Sequence, residues 1–448
     1  MRPPPPKKRS SAIGLPTPAT HSSPGGFIRS LKKCGLSFRR LWTALGITVL
    51  LIYFIYHLQP AKPSKRIIQD AQNAVDSIKV VPDLVAEEAD RQPAKAQPHK
   101  NLDTNGWVIP DPSTVKTDDT LPMLETLATT FPYKHPLVNP QTAIEAALSA
   151  AYIYSKIGTA GVIPHTNIPR IIHQTWKTTS VKDAPAHVSE SVASWRQKNV
   201  EVTSGLGFAH ILWDDTGLEE MVKVMHPTIY ATFKDLPKKV HKADIFRYLV
   251  LNTFGGVYAD VDTLTLRPVE KWLDANDLAS WKYKDQTMPV LKEVNFIVGL
   301  ETDVERNNSV DYKGIYETPM QMCQWAMAAK AGHPILSRVI HSIFSKLSTM
   351  TPNEIKNADV PRLTGPAPWT AAIYGHMAEN GVDWNDLREW GDHARGIGDV
   401  VILPITAFAP GYGQVLITVF GNMGSKTIED LDARVRHLWR GVWRSDTS

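Results

Sequence analysis

The pattern of apolar and polar positions after residue 165 predicts strands and helices in alternation. Short apolar runs that end in polar residues predict strands in PRIIHQTWK, FAHILWDD, NFIVGLE and DVVILPITAF. Two stretches have the spacing of helices, QTAIEAALSAAYIYSKIG and KADIFRYLVLNTFGG, and the second ends at Gly255-Gly256, as helices often do. The sequence therefore predicts an α/β domain over residues 166–448, with a mostly parallel sheet flanked by helices.

A different pattern occupies residues 41–58, where LWTALGITVLLIYFIYHL contains no charged side chain. A helix of this length would extend about 27 Å, close to the hydrocarbon thickness of a bilayer. Basic residues are denser before the run than after it, which predicts a cytosolic N-terminus. A cleaved signal peptide fits less well, because about 40 residues precede the run and no small-x-small cleavage site follows it. We expect a single-pass type II anchor.

The charge distribution agrees with a division at this span. Residues 1–68 contain 12 Lys or Arg and no Asp or Glu, whereas the rest of the chain contains 37 basic and 45 acidic residues. A basic head on an acidic body argues for two compartments and against a nucleic-acid partner. Residues 1–40, rich in Pro and Ser, are predicted to be a disordered cytosolic tail, and the proline-interrupted residues 59–165 a stem.

The main candidate chemistry lies in GGVYADVDT, where Asp260 and Asp262 interrupt an apolar run. If the segment is a strand, positions i and i+2 point to one side, so the two carboxylates share a face. Like charges this close are tolerated when a divalent cation neutralises them, and oxygen ligands suit Mn²⁺ or Mg²⁺. A lone D-x-D is weak, but the apolar flanks argue against a surface loop.

The helix before this segment adds an acid and a base. Asp244 and Arg247 are three residues apart and share the face opposite the apolar stripe, with Tyr248 beside them. Spacing alone is equally consistent with a surface ion pair of little energetic weight. The tight Gly255-Gly256 turn folds the helix back beside the D-x-D segment, which brings the pair near a bound cation.

Several motifs resemble one known family. The segments IPRIIHQTWKT, KADIFRYLVLNTFGGVYADVDT, GHPIL, TGPAPWT, and GNMGSK followed by VRHLWRGVW occur in the order found in fungal initiation-specific α-1,6-mannosyltransferases. Those proteins are D-x-D glycosyltransferases of family 32 with a GT-A fold. The resemblance covers roughly residues 166–444 and implies a GT-A catalytic domain over 166–448, behind an anchor and a stem.

The resemblance also implies roles for individual residues. Asp260 and Asp262 look like the pair that holds Mn²⁺ (or Mg²⁺) and the nucleotide, and His437 like a third metal ligand. Asp244 and Arg247 look like contacts to the donor sugar. The remaining donor contacts would come from the end of the first strand and from the D-x-D segment, at His173, Gln174, Trp176 and Tyr258.

The activity implied by the resemblance is retaining transfer of mannose from GDP-mannose to the core of an N-glycan on a glycoprotein, in the Golgi membrane. A Golgi mannosyltransferase complex is the partner that the resemblance suggests. Two alternatives stay open: mannose transfer to inositol phosphorylceramide, and a non-catalytic scaffold in a mannan polymerase complex. Candidates for contacts with the acceptor are Trp325, Trp369, Trp439, Trp443, Glu301 and Asp303.

Overall fold

The computed structural model describes residues 106–109, 140–200, 206–307, 312–314, 316–411 and 425–440. The predicted tail 1–40, the anchor 41–58 and most of the stem 59–165 lie outside these ranges, as do Trp443 and most of the GNMGSK motif. Within the described ranges, no helix is both long enough and apolar enough to cross a bilayer.

An eight-stranded mixed sheet with the order β1-β3-β2-β4-β9-β8-β11-β10 forms the centre of the fold. Its strands are β1 (Trp107–Val108), β2 (Ile171–Thr175), β3 (Ala209–Trp213), β4 (Gly256–Ala259), β8 (Phe296–Asp303), β9 (Met320–Ala329), β10 (Arg395–Ile397) and β11 (Val400–Leu403). Two smaller sheets pair β5 (Thr263–Thr265) with β12 (Val435–His437), and β6 (Trp281–Tyr283) with β7 (Gln286–Met288).

The strand directions correct the prediction of a mostly parallel sheet. β2, β3 and β4 are mutually parallel neighbours, and β11 is parallel to β8. However, β9 lies antiparallel between β4 and β8, and the short edge strands β1 and β10 are also antiparallel to their neighbours. The sheet is mixed chiefly because β9 follows β8 along the chain and pairs with it in the opposite direction, between two strands that are parallel to each other.

Helices cover the sheet and lie between its strands along the chain. They are α1 (Ala143–Ser155), α2 (Ala186–Asn199), α3 (Asp215–Met225), α4 (Pro227–Lys234), α5 (Lys239–Phe254), α6 (Pro334–Leu347), α7 (Pro352–Asn357), α8 (Val360–Leu363), α9 (Pro366–Glu379) and α10 (Ile405–Phe408). Single 3₁₀ turns occupy Gly158–Gly161, Val269–Lys271, Tyr312–Gly314 and Trp384–Leu387. The alternation of strand and helix predicted from the sequence is confirmed.

The N-terminal limit of the α/β domain is earlier than residue 166. Trp107 pairs with Ile211, so β1 extends the main sheet beyond β3. Helix α1, expected to close the stem, packs against β2 and β3, and the Tyr154 hydroxyl donates to the Gly207 carbonyl over 2.7 Å. Apolar residues of α1 belong to the same core as the sheet. The described part of the predicted stem therefore belongs to the domain.

Residues 244–251 of helix α5 are all buried, on every side of the helix, which the amphipathic pattern did not predict. Its polar residues Asp244 and Arg247 are 2% and 5% exposed, and Tyr248 stacks on Trp369 of α9. The helix packs against β4 and β9 on one side and against α6 and α8 on others. The supposed outer face of α5 is therefore the inner wall of a site, and its charges require internal partners.

The turn from α5 into β4 depends on two glycines with positive φ. Gly255 has φ 67° and Gly256 has φ 98°. A Cβ on Gly256 would lie 2.3 Å from the carbonyl oxygen of Ile171 in β2, and a Cβ on Gly255 would lie 2.8 Å from the amide nitrogen of Ala331. The absence of side chains allows β4 to start at once against β2.

We expect Gly256→Ala to destabilise the fold severely, because the new methyl group collides with the backbone of β2. Gly381 is the matched control, with φ 74° and nothing within 4 Å of a built Cβ. Gly381→Ala should lose only about 1–2 kcal/mol from its backbone conformation. Denaturant unfolding of both variants of the full-length chain measures the difference, and equal losses would contradict the steric account.

Candidate active site

The D-x-D segment is a turn between two strands, and the expectation of two carboxylates on one strand face is wrong. β4 ends at Ala259, and the Asp260 amide still donates to the Trp325 carbonyl over 2.8 Å. The chain then turns: the amide and the hydroxyl of Thr263 both donate to the Asp260 carbonyl, over 3.1 Å and 2.6 Å. The two carboxylates approach each other through this turn and not through strand periodicity.

A third side chain joins them from the far end of the chain. β12 pairs antiparallel with β5 and places His437 opposite Thr263, next to Asp262. One ligand atom each from Asp260, Asp262 and His437 lies within 4.8 Å of the other two. The His437 Nε2 is 3.2 Å from Asp262 Oδ1, and the Arg440 amide donates to Asp262 Oδ2 over 3.2 Å. The three predicted metal ligands thus form one cluster, called here the carboxylate–histidine cluster.

The two aspartates of this cluster have opposite pKa shifts. Burial raises the pKa of Asp260, and the nearby Asp262 charge adds to that effect, while Arg247 opposes it. Burial also acts to raise the pKa of Asp262, but the hydrogen bond and charge of His437 and the Arg440 amide lower it below its usual value. Both carboxylates are partly exposed, with side chains 25% and 17% accessible. The pair is thus open to a ligand from solvent.

The imidazole of His437 is oriented by an aromatic ring. Trp325 stacks on it with ring centroids 4.6 Å apart and an interplanar angle of 8°, and the Trp325 Nε1 donates to the Phe408 carbonyl. Trp439, whose φ is 51°, meets the His437 ring edge-on at 4.2 Å. His437 Nδ1 is buried and has no hydrogen-bond partner. Packing therefore sets the ring plane and leaves Nε2 directed at Asp262.

A buried guanidinium connects the helix α5 to the D-x-D turn. Arg247 Nη2 lies 2.8 Å from Asp244 Oδ1 and 3.4 Å from Asp260 Oδ1. The Arg247 guanidinium carbon lies 5.2 Å from the centre of the Tyr258 ring, and the Tyr258 hydroxyl donates to Asp260 Oδ1 over 2.8 Å. Burial disfavours the charge of Arg247, but Asp260 and Asp244 raise its pKa above its usual value. The Asp244–Arg247 pair therefore lies next to the D-x-D segment, as the sequence predicted.

Two side chains outside the predicted set hold Asp244 from the other side. Thr364 donates to Asp244 Oδ2 over 2.8 Å, and the Gln324 side-chain amide donates to Asp244 Oδ1 over 3.1 Å. The Gln324 carbonyl also accepts from Arg247 Nη1 over 3.0 Å. Burial nevertheless raises the pKa of Asp244 to about 6, against the opposing effects of Arg247 and Thr364.

Gln324 reaches this position because β9 is irregular. The register with β8 shifts between Val298 and Leu300, where the partner on β9 changes from Met327 to Met322. The extra residues of β9 bulge toward α5 and the D-x-D turn, carrying Gln324 and Trp325. A bulge leaves no regular signal in the apolar pattern, so Gln324 was not identified from sequence. Thr364 lies within the TGPAPWT motif and was detectable there.

A cavity of about 360 Å³ adjoins these groups. Its lining includes Trp176, which was predicted to contact the donor, and the next residue, Lys177. It also includes Arg247 from α5, Tyr258 from β4 and Asp260 from the D-x-D turn. The remaining lining residues are Thr175, His187, Asp215, Leu218, Glu219, Lys239, Val240, Lys242, Ala243, Val261 and Asp262.

His173 and Gln174 do not line this cavity, which corrects the expectation for both. His173 is fully buried, with Nε2 3.0 Å from the Gly255 carbonyl and Nδ1 accepting from Trp213 Nε1. Burial lowers its pKa to about 4. Gln174 is also buried and bonds to Ser191 and His210. As consecutive residues of β2, they point to opposite faces of the sheet and are buried on both, and of the three residues expected here only Trp176, just after the strand, reaches the cavity.

The residues proposed for the acceptor divide into buried and accessible positions. Trp369 is fully buried and donates to the Cys323 carbonyl, so it is a core residue. Glu301 and Asp303 are 7% and 3% exposed, and burial raises the pKa of Glu301 to about 7 and that of Asp303 to about 6. Trp325 is nearly buried under His437. Trp439 is 40% exposed beside the carboxylate–histidine cluster.

Comparison with known proteins agrees with this geometry. Residues 185–279, which contain α5 and the D-x-D turn, match the family described as glycosyltransferase sugar-binding region containing DXD motif. The initiation-specific α-1,6-mannosyltransferase of Candida albicans is 28% identical over 307 residues, covering 62% of this chain and 72% of that protein. Its namesake in Schizosaccharomyces pombe is 32% identical over 297 residues, covering 63% of this chain and 65% of that protein.

A shorter match connects the chain to a lipid-modifying relative. The mannosyl phosphorylinositol ceramide synthase SUR1 of Saccharomyces cerevisiae is 38% identical over 95 residues, covering 21% of this chain and 22% of that protein. The resemblance to initiation-specific α-1,6-mannosyltransferases inferred from the motifs is therefore confirmed. Together with the DXD region and the site around it, these similarities identify the chain as a glycosyltransferase.

Proposed function

We propose that this protein is a retaining, metal-dependent α-1,6-mannosyltransferase that transfers mannose from GDP-mannose to the core oligosaccharide of an N-glycan. In this proposal it is a type II protein of the Golgi membrane, anchored by residues 41–58 with the α/β domain of GT-A type in the lumen. The observation that carries the proposal is the carboxylate–histidine cluster, which adjoins both the cavity and the Arg247 ion pairs.

The side chains of the cluster fit a divalent cation. Two carboxylates and an imidazole suit Mn²⁺, and carboxylates with open positions also suit Mg²⁺. Asp262, with a lowered pKa, and His437 Nε2 are directed at each other over 3.2 Å, and Asp260 completes the set. A cation held there would neutralise charge that develops on the diphosphate oxygens of the departing nucleotide.

The lining of the cavity supports a nucleotide sugar as donor. Trp176 and His187 meet edge-on with centroids 6.3 Å apart, which offers aromatic surface for a base. Lys177 and Lys242 add positive charge that suits phosphate oxygens. The sugar would lie toward Arg247, which lines the cavity and is fixed by the buried Asp244 behind it, so that its guanidinium can donate to hydroxyl groups in a defined orientation.

The chain's own residues would position the reacting groups in this reaction. Arg247 holds Asp244 and Asp260 at fixed distances through one guanidinium, so the sugar contacts and the cluster move as one unit. We propose that the acceptor hydroxyl attacks from the face that the nucleotide leaves, with its proton passing to a departing phosphate oxygen. Retention of configuration follows from attack on that face. Trapping a mannosyl group covalently on any side chain would contradict this step.

The N-glycan is preferred as acceptor because of the extent of the similarity. The two initiation-specific α-1,6-mannosyltransferases align with more than 60% of the chain, whereas the mannosyl phosphorylinositol ceramide synthase aligns with 95 residues. A catalytically silent scaffold would need none of the ion pairs that surround Asp244 and Asp260. The proposed activity is compatible with membership of a mannosyltransferase complex.

Linkage analysis of the product tests the proposed reaction. The full-length chain with GDP-mannose and Mn²⁺ should add an α-1,6-linked mannose to a high-mannose N-glycan oligosaccharide and leave inositol phosphorylceramide unmodified. Mannosylation of the lipid alone would replace the glycan with the lipid as acceptor. No transfer to either acceptor would support the scaffold.

We expect Asp262→Ala to abolish the dependence of GDP binding on Mn²⁺. In the native chain, GDP should bind with a larger heat and higher affinity when Mn²⁺ is present, since the cation links the carboxylates to the diphosphate. Isothermal calorimetry of GDP with and without Mn²⁺ measures this. Asp235→Ala, at an exposed position between α4 and α5, is the matched control and should behave like the native chain. Identical heats with and without Mn²⁺ in the native chain would contradict the metal site.

Arg247→Lys should lower kcat/KM by roughly a hundredfold, which corresponds to about 2.7 kcal/mol of transition-state stabilisation. A lysine keeps the charge but cannot reach Asp244, Asp260 and the Gln324 carbonyl together, because it lacks the planar fork. Steady-state kinetics with GDP-mannose measures the loss, and thermal unfolding verifies that the variant is folded. Lys346→Arg, on the exposed side of α6, provides a charge-matched exchange with no expected effect. Unchanged kinetics in Arg247→Lys would show that the site is misplaced.

A further inference from the structure

A second cavity lies at the same end of the sheet as the D-x-D turn but on the opposite half. Its volume is about 230 Å³, and it is lined by the β6–β7 hairpin, the 3₁₀ turn after α9 and the start of β10. Its lining residues are Trp281, Lys282, Tyr283, Lys284, Asp386, Leu387, Arg388, Glu389 and Arg395. Because β4 and β10 are four strand spacings of about 4.8 Å apart, the cavity is roughly 20 Å from the D-x-D turn.

Strained backbone is concentrated at this cavity. Of the four described non-glycine residues with positive φ, Lys284 (52°) and Glu389 (68°) both line it. Lys284 is the first residue of the two-residue turn between β6 and β7, a position that favours Gly or Asn. Such a backbone conformation is strained for a residue with a side chain, and strain of this kind tends to occur where a side chain serves a ligand.

The two acidic side chains at the mouth of the cavity already have partners. Lys284 Nζ lies 2.7 Å from Asp386 Oδ2, and the same oxygen accepts from the Tyr283 hydroxyl over 2.7 Å. Glu389 Oε1 accepts from the Arg306 amide over 3.1 Å. The lining as a whole carries more basic than acidic side chains, with Lys282, Lys284, Arg388 and Arg395 against Asp386 and Glu389. Sugar hydroxyl groups can accept hydrogen bonds from the basic groups and donate to the carboxylates.

Behind this mouth, polar atoms and aromatic rings are packed together. The Arg395 guanidinium lies 4.3 Å from the Trp390 ring centre and 5.4 Å from that of Trp281. Arg395 Nη1, Arg388 Nε and Asp303 Oδ1 are buried without a hydrogen-bond partner. The lining therefore combines the rings of Trp281 and Tyr283 with charged groups that donate and accept hydrogen bonds, a composition that suits a carbohydrate.

We propose that this cavity binds a saccharide unit of the acceptor, away from the sugar that receives mannose. This inference rests on the proposed function, which identifies the acceptor as an oligosaccharide. An acceptor with several sugars can extend from the D-x-D turn to this cavity. A single-sugar acceptor would occupy the reacting position alone. The cavity thereby selects for an extended oligosaccharide over a short one.

The test replaces the strained residues by glycine, which relieves the backbone and removes only the side chain. Lys284→Gly and Glu389→Gly should leave the unfolding temperature unchanged or raised. Both should weaken binding of a high-mannose N-glycan oligosaccharide about tenfold in calorimetry of the full-length chain without donor or cation. The matched control is His165→Gly, whose native φ is 66° at an exposed position outside the cavity. It should relieve the same strain and bind the oligosaccharide like the native chain.

Kinetics separate this inference from the proposed function. In the cavity variants, KM for the oligosaccharide should rise about tenfold, while KM for methyl α-mannoside and kcat stay unchanged. Native affinity in both variants, no binding by the native chain, or displacement of the oligosaccharide by inorganic phosphate would overturn the subsite. Absence of mannose transfer by the native chain would instead overturn the proposed function, and the binding measurements would still decide the subsite.

Discussion

The site depends on one buried guanidinium held between two carboxylates. Arg247 contacts Asp244 in its own helix and Asp260 in the D-x-D turn, and the side chains of Arg247 and Asp244 are almost inaccessible to solvent. Burial of an unpaired charge would cost several kcal/mol, so Asp244 cannot be buried here without Arg247, and the same guanidinium offsets the partial burial of Asp260. The Gln324 backbone carbonyl accepts from Arg247, and its side-chain amide donates to Asp244. This ion-pair network ties α5, β4 and β9 to one geometry.

That geometry is possible because the backbone is unusual at two places beside it. The Gly255-Gly256 turn lets β4 start directly after α5 and close against β2, without room for a side chain. The register shift in β9 carries Gln324 and Trp325 out of the regular ladder and toward α5 and His437. The end of α5 thus places the Asp244–Arg247 pair beside the D-x-D turn, and the bulge in β9 places Gln324 in contact with that pair. Neither feature stabilises the fold by itself; each costs regular structure near the functional groups.

Position at the end of the sheet, and not distance along the chain, determines which groups meet. β4, β8 and β11 all point toward the edge that carries the D-x-D turn, so the far cavity near Asp303 and Arg395 opens at the same edge as the carboxylate–histidine cluster. Ligands of α/β sheets bind at this edge because strand carboxyl ends and the loops after them converge there. This arrangement is consistent with a donor bound near the D-x-D turn and an extended acceptor that reaches from there to the far cavity.

The sequence by itself determined the alternation of strands and helices, the helix end at Gly255, the pair Asp244 and Arg247, and the D-x-D aspartates, because each depends on local spacing or on residue type. The sequence-based predictions were wrong for side chains whose role depends on which groups surround them in the folded protein. His173 and Trp369 carry polar groups that looked available, but the fold buries them in hydrogen bonds to Gly255 and Cys323. The family resemblance implied His437 as a metal ligand, but only the tertiary structure shows how it meets Asp262 from 175 positions away, through the pairing of β12 with β5, and that the D-x-D segment bends into a turn. Such contacts join residues far apart in the chain, and their free energy comes from packing that no local pattern records.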